Sequence, residues 1–511
     1  MSGDLEGIPG ATAIATIDPV ALAWEELSDL GNAERLSARA GGRLAHVHEW
    51  GWGAYDGVRW SFEEGQRLAS LAAHGVARDM RGEIAALAAI PDADLDGRFG
   101  PWCTSEVRKS RLIELRKWAV SSGMAARTTA MLQQAAHLLD RPRDVFDQDP
   151  LTINTRNCTL RIRKDDDGRW AVHRSAHDAG DMLTRATACD YDPGAECAVF
   201  RGHVETVLPD PEVRRHFQEL LGYALQAKRS EQIMLMVQGR GSDGKSTAMD
   251  MFLEMMGSYG VSADVQTFIA GPQRSAADAS PDLARLAGDT RLVLTAEPKR
   301  GQALDEGRVK QFTGGGKITA RMLHGDPFEY QPHGLLVMEC NSRVRISGDD
   351  DGIWRRIEMV LFPHQFKGDA IDKTMKDRIR PEFSGILNWG IEGLLRWLER
   401  GRLERPAAVT EAIEDYRRSA NPFGEWFAER VDTSDPTYLE SASALFDDYK
   451  QYCTDNGVGD RETMGSTAFG RALGDRQILK GPRDRSGRIR RRGAKLRPAP
   501  KIDVWAEPDG D

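Results

Sequence analysis

Short apolar runs and amphipathic stretches alternate along most of this chain. Ile233 to Val237, Leu292 to Thr295 and Leu335 to Met338 are rich in Val, Leu, Ile and Met and are too short for helices. Such runs, separated by helical segments, predict buried strands of an α/β sheet, because a strand covered on both faces shows no polar alternation. Phe200 to Leu225 and Ser384 to Leu398 carry the spacing of amphipathic helices, and Val107 to Leu139 has the same periodicity. Leu151 to Trp170 alternates like paired strands around Asp165-Asp166-Asp167-Gly168. Trp50, Trp52 and Trp60 bracket Tyr55-Asp56-Gly57, and an Asp-Gly between aromatic flanks predicts a β-hairpin.

Breaks fall at Tyr191-Asp192-Pro193-Gly194 and at Asn421-Pro422-Phe423. The expected organisation is a flexible leader (1–20), a mixed α+β N-terminal domain (21–191), an α/β domain (192–400) and a C-terminal domain (421–500). The last domain has helices near Ala442 to Cys453 and Ser466 to Leu473, then a basic ribbon around Ser486-Gly487. Helix, helix, ribbon reads as a winged-helix-like unit. Gly465 to Leu473 is its candidate recognition helix and Arg483 to Arg497 its wing.

Length and composition narrow the picture. At 511 residues the chain has room for about three domains. Charged residues at 29% and hydrophobic ones at 40% exclude a mostly disordered chain. No run reaches the length of a membrane span, and the acidic N-terminus has no apolar core, so neither membrane insertion nor a signal peptide is expected. Six cysteines without a C-x-x-C pair argue against zinc knuckles and a secreted disulfide scaffold; the expected compartment is a reducing cytoplasm. The net charge of −9 conceals an asymmetry. Arg476 to Lys501 holds eleven Lys/Arg against Asp484, which leaves −19 on the rest. A basic block on an acidic body predicts a polyanion partner.

The most specific local signal is Gly239-Arg240-Gly241-Ser242-Asp243-Gly244-Lys245-Ser246, followed by Thr247. It fits G-x-x-x-x-G-K-[ST] at every fixed position, directly after a strand and at the start of a helical stretch. The glycines let backbone N–H groups wrap a phosphate, and the helix N-terminus adds favourable partial charge. Lys245 is placed to reach the β/γ-phosphates of ATP and the Ser246 hydroxyl to ligate Mg²⁺. A carboxylate at the end of a neighbouring strand is also required, and Glu297, after Leu292 to Thr295, is the candidate to polarise the attacking water and, with Ser246, to help hold the metal. Asn341 ends a third strand, where an amide orients water or touches the γ-phosphate. Arg355 and Arg356 form a basic pair beside Trp354.

Together these residues resemble superfamily 3 helicases, in particular the satellite-phage and poxvirus type of primase–helicase. The resemblance runs in order through Gly239 to Thr247, Arg291 to Pro298, Lys310 to Gly325, Leu335 to Asn341 and Asp350 to Arg356. Gly31 to Arg35, Tyr55 to Trp60 and Asn154 to Leu160 extend it to the N-terminal region. It implies an AAA+-like P-loop motor, preceded by the mixed N-terminal domain, that assembles as a hexamer and translocates on single-stranded DNA. Matched by position, Lys245 and Ser246 are the Walker A pair, Glu297 the Walker B acid, Asn341 the sensor, and Arg355 or Arg356 the finger reaching a neighbouring subunit. Lys317, Arg321 and His324 fall on the hairpin that faces the ring channel. Two departures stand out. Asp243 replaces the usual Asn, where a carboxylate repels phosphate unless it faces the metal or an arginine such as Arg240. Ala296 precedes Glu297, so the Walker B position lacks a paired acid.

The C-terminal arginines Arg488, Arg490, Arg491 and Arg492 lie too close together to read bases, and are expected to position phosphates. Asp92-x-Asp94-x-Asp96 reads as a polar loop, and His46-x-His48 as a packed strand with two potential metal ligands and no third. The expected activity is an ATP- and Mg²⁺-dependent DNA helicase for a phage, prophage or plasmid in a bacterial host. Its partners would be single-stranded or forked DNA, further copies of itself and a separate primase. The rival readings are an ATP-assembled replication initiator, a phage packaging ATPase and a non-catalytic DNA-binding scaffold.

Overall fold

The computed structural model describes residues 18–497 except 41, 229, 272–279, 300, 323–324, 347–350, 369–370, 457–462 and 485–486. Its centre is a five-stranded sheet. In spatial order the strands are Ile357–Leu361, Met234–Gln238, Leu335–Cys340, Leu292–Thr295 and Gly260–Ala263. Every neighbouring pair is parallel. The three apolar runs are therefore buried strands, as their composition requires. The two others were hidden in the sequence. Gly260–Ala263 is made mostly of small residues, is only partly buried and occupies an edge. Ile357–Leu361 is interrupted by Glu358, a buried carboxylate held by His216 Nε2 at 3.2 Å and Arg405 Nε at 2.7 Å.

Helices cover the sheet. Phe383–Arg400 lies closely against Pro211–Tyr223 because glycines face each other. A Cβ on Gly222 would meet Leu394 N at 2.4 Å, and one on Gly393 would meet Gln218 O at 2.3 Å. The core around this sheet extends from Ile153 to Tyr416. It thus crosses both expected limits of the central domain. The antiparallel sheet Thr152–Asn154, Thr159–Lys164 and Trp170–Ser175 contributes Ile153, Leu160 and Ile162 on one side. On the other, helix Ala407–Ala420 contributes Val409, Ala412, Ile413 and Tyr416.

The N-terminal region combines helices with an antiparallel sheet, Leu44–Val47, Gly51–Tyr55 and Trp60–Ser61. Tyr55 pairs with Trp60, and Asp56 closes the turn by accepting from the N–H groups of Val58 and Arg59, both at 2.8 Å. Gly31 to Arg35 is architectural. Arg35 is fully buried, donates to Glu83 Oε2 at 3.1 Å and to Leu22 O at 2.7 Å, and Gly31 has no space for a Cβ beside Glu26 O. Asn154 joins this region to the central one. Its amide donates to Val58 O at 2.8 Å and to Arg185 O at 3.1 Å, and its N–H to Tyr259 Oη at 3.0 Å.

The C-terminal region has its own core around Trp426, Tyr449, Phe469 and Leu473. Asn421 caps helix Pro422–Arg430 through the Gly424 N–H at 2.9 Å, so the Asn-Pro break is a helix start. Helices Ala442–Asp455 and Ser466–Asp475 follow. They pack on an antiparallel sheet ordered Leu439–Ser441, Arg490–Arg492 and Leu479–Lys480. All six cysteines are buried and none is in a disulfide. Among the described residues no helix is long and apolar enough to cross a membrane.

Candidate phosphate-binding site

The Gly239 to Ser246 segment leaves the C-terminal end of strand Met234–Gln238 and turns into helix Lys245–Met256. Three residues with positive φ, on either side of Asp243, build the loop: Gly241 (84°), Ser242 (51°) and Gly244 (81°). Gly244 is also sterically obligatory, since a Cβ would meet Val207 Cγ1 at 2.6 Å and His203 Cε1 at 2.8 Å. His203 lies on helix Ala198–Val207 and donates from Nε2 to Gly244 O at 2.9 Å. Burial holds this imidazole below its ordinary pKa, which keeps it a neutral donor near neutral pH. From the other side, the Phe366 N–H donates to Ser242 O at 2.7 Å. The rings of His203 and Phe366 stack nearly parallel.

Three strand ends meet at this loop. Lys245 Nζ donates to Asn341 Oδ1 at 2.5 Å. Asn341 in turn donates to Glu297, from its amide nitrogen at 2.6 Å and from its backbone N–H at 3.0 Å. Strand Leu335–Cys340 stands between the loop's strand and that of Glu297, so Asn341 bridges the two. Lys245 is buried, whereas Ser246, Ala296, Glu297 and Asn341 are exposed at the mouth.

Asp243 behaves differently from the expectation that Arg240 or a metal would face it. Arg240 is exposed. Asp243 is buried and pairs with Lys245 Nζ at 3.1 Å, while its carboxylate also accepts from the N–H groups of Gly241 (3.1 Å) and Lys245 (3.2 Å). The tight curvature at Gly241 and Ser242 folds it back over Gly239, where a Cβ would meet Asp243 Oδ2 at 1.7 Å. Asp243 thus gives the loop its own internal anion. Thr247 is half-buried in the first helical turn.

A residue the sequence did not single out also belongs here. Glu339, two positions before Asn341, faces Ser246, with Asp250, Lys245 and Asp243 around it. Burial pushes its carboxyl above the usual carboxylate range, partly offset by Ser246. Its Oε1 is buried without a hydrogen-bond partner. The signal was a lone carboxylate inside an otherwise apolar strand.

The arginine pair separates. Arg356 is 8% exposed and donates to Gln232 Oε1 at 3.0 Å and to Gly352 O. It is bound into its own core and is set aside as a finger. Arg355 is exposed, just before edge strand Ile357–Leu361. That strand starts level with Met234, so Arg355 lies at the opposite end of the sheet from the loop, a strand length of about 16 Å away.

Lys317 and Arg321 flank the strand Ile318–Arg321, which pairs with Pro327–Tyr330 in an antiparallel hairpin. Lys317 pairs with Glu329 at 3.4 Å, and Arg321 Nε donates to Gly325 O at 2.9 Å. His324 lies outside the described residues. In the C-terminal sheet, strand alternation divides the arginines. Arg488 and Arg492 are exposed and Arg490 is half-buried. Arg491 points inward, donating to Gly470 O at 2.9 Å and Ile478 O at 3.2 Å. It is corrected from a phosphate-facing to an architectural residue, because neighbours along a strand face opposite sides. Asp92 pairs with Arg108, and the His46 ring packs edge-on against Trp52. Among the described residues no three His, Cys, Asp or Glu side chains form a metal cluster.

Residues 33–209 match the family model described as "D5 N terminal like". The chain is similar to "Putative helicase L207/L206" of Acanthamoeba polyphaga mimivirus, at 29% identity over 253 residues, covering 46% of this chain and 26% of that protein. It is similar also to "Putative helicase 022R" of Frog virus 3 (isolate Goorha), at 30% identity over 164 residues, covering 32% and 17%. The chain thus spans about a quarter or less of these relatives' length. The solved apo A form of the NrS-1 C terminal region aligns with a TM-score of 0.37 and 10% identity, covering 67% of this chain and 96% of that one.

Proposed function

We propose that this chain is an ATP-hydrolysing DNA helicase of the D5-like, superfamily 3 type, acting in replication of a mobile or viral genome. The observation that carries the reading is the series Lys245–Asn341–Glu297 across three parallel strand ends, behind a loop that fits the phosphate-binding motif. A strand inserted between the loop's strand and that of the acid is the arrangement an AAA+-like motor needs. The resemblance to viral proteins named as helicases supports the same reading.

In this reading the loop N–H groups and helix N-terminus bind the ATP phosphates, and Lys245 exchanges Asp243 for them. Glu297 accepts a proton from the attacking water while Asn341 fixes the carboxylate's orientation. The Ser246 hydroxyl and a carboxylate beside it fit Mg²⁺, which takes oxygen ligands and keeps several waters. The bound ion supplies charge that offsets the phosphates. Arg355, unable to reach its own loop, contacts the γ-phosphate of the next subunit in a hexameric ring.

Lys317 and Arg321 contact single-stranded DNA in the channel, and the C-terminal domain, a winged helix in this reading, holds duplex phosphates through Arg488, Arg490 and Arg492. A separate primase would supply primers. The test is ATP hydrolysis by the purified chain with and without single-stranded DNA. DNA-stimulated turnover that Lys245→Ala reduces at least about 100-fold is expected, given how much a preorganised charge contributes to phosphoryl transfer. Turnover that survives Lys245→Ala sinks the proposal.

A further inference from the structure

The phosphate-binding reading leaves one chemical gap: position 296, where a second acid would stand, is Ala296. The sheet fills it from the side. Strands Leu335–Cys340 and Leu292–Thr295 are parallel, with Met338 level with Thr295. One residue past that last pair stand Glu339 and, just beyond the end of its strand, Ala296, and side chains level with each other in a parallel sheet share a face. On its other side Glu339 is level with Val237, which precedes the phosphate loop. Glu339 therefore stands between the loop and the Glu297 strand, facing Ser246.

We propose that Glu339 is a magnesium-site carboxylate, doing from the neighbouring strand what the acid missing at 296 would do. The inference rests on the ATP reading above. Its Oε1 is buried with no hydrogen-bond partner, a costly state for a carboxylate unless something else satisfies it. Of the other carboxylates nearby, Asp250 is held by Lys376 at 2.5 Å and Asp243 by Lys245 and two loop N–H groups, so neither is the substitute. Ser246 and Glu339 offer two hard oxygen donors beside the loop, and magnesium sites need only one or two carboxylates when phosphates and waters complete the shell.

The test uses Mn²⁺ as a paramagnetic stand-in, titrated by electron paramagnetic resonance into the full chain with a non-hydrolysable ATP analogue. Binding of the same analogue in EDTA is measured in parallel. Glu339→Gln is expected to weaken Mn²⁺ binding at least about tenfold, as loss of one of few protein ligands should, with binding in EDTA unchanged. Ala296→Asp added to Glu339→Gln is expected to restore Mn²⁺ affinity by returning an acid to the same level of the sheet. Unchanged Mn²⁺ affinity in Glu339→Gln overturns the proposal. So does loss of analogue binding in EDTA that Ala296→Asp does not restore, which would assign Glu339 to holding the loop. If the unsubstituted chain binds no analogue even in EDTA, the ATP reading itself fails, and the proposal with it.

Discussion

The phosphate loop and the C-terminal basic ribbon are both dense in charge, yet they use it in opposite ways. Around the loop, the buried Asp243 and Lys245 come from one strand end and Asn341 and Glu297 from two others, and together they hold one another at fixed hydrogen-bond distances. In the ribbon, Arg488 and Arg492 are exposed in and beside a short sheet, and Arg491 is drawn into the interior. Buried charge must be satisfied by particular partners, because an unpaired one costs far more than it returns. Exposed charge acts through a summed field that salt screens. One substitution should therefore decide the first site, whereas the second should respond in proportion to the number of charges removed.

The largest effect that would break this contrast belongs to Glu297. Glu297→Gln keeps the size and one of the two hydrogen bonds from Asn341 but cannot accept a proton. ATP turnover is expected to fall by about 10²–10⁴, the range for loss of a general base, while nucleotide affinity stays within a few fold. A steady-state assay beside an equilibrium titration checks both. A mild loss of turnover would show that the loop's charges are as interchangeable as the ribbon's.

The ribbon gives the intermediate effect. Arg488→Ala with Arg492→Ala should lower the slope of log affinity against log salt by about 1.4 on single-stranded DNA and by about 1.8 on duplex, the counterion release of two contacts. Fluorescence anisotropy across a salt series measures it. Arg491→Ala is the contrasting variant. It should leave the slope alone and destabilise the C-terminal domain, because two backbone carbonyls lose their donor.

These differences also mark how far the sequence could be read. Lys245, Glu297 and Asn341 were legible because each follows a short apolar strand, and an apolar run announces where a parallel strand ends. The hairpin at Asp56-Gly57 and the helices from Val107 to Leu139 were legible by periodicity. Glu339 was not, because its meaning depends on which strand lies beside it, and register is a property of the sheet. The same holds for Arg355 against Arg356 and for Arg491 among its neighbours: adjacent residues of one type differ only in the side they face. The partner of Asp243 depended on loop curvature that residue types do not fix. The reach of the central core was hidden for a related reason: Leu160 and Tyr416 join it from outside residues 192–400, a packing that the polar breaks along the chain do not announce.

The smallest expected effect tests whether every buried charge here has a full complement of partners. Asp147 links the N-terminal and central regions. It accepts from the Thr184 N–H at 2.8 Å and hydroxyl at 2.5 Å, and burial followed by the nearby Asp289 carboxylate raises its pKa to about 7 from 3.8. Asp289 already commits both oxygens to Arg291, at 3.0 Å or less, so Asp147 shares that cation without owning it. Between pH 3.8 and about 7 the unfolded chain has lost a proton that the native state still holds. Stability must then fall as pH rises through that window, and above it the penalty is fully present. Asp147→Asn removes the charge and preserves an acceptor for the Thr184 N–H, and asparagine tolerates the positive φ of 53° at this position. The variant should melt a few degrees higher than the parent at pH 8, with the gain shrinking toward zero near pH 4. Thermal melts across that range check the sign. A variant that melts lower at pH 8 would show that Arg291 pairs fully with both carboxylates, extending to Asp147 the close pairing found at the phosphate loop.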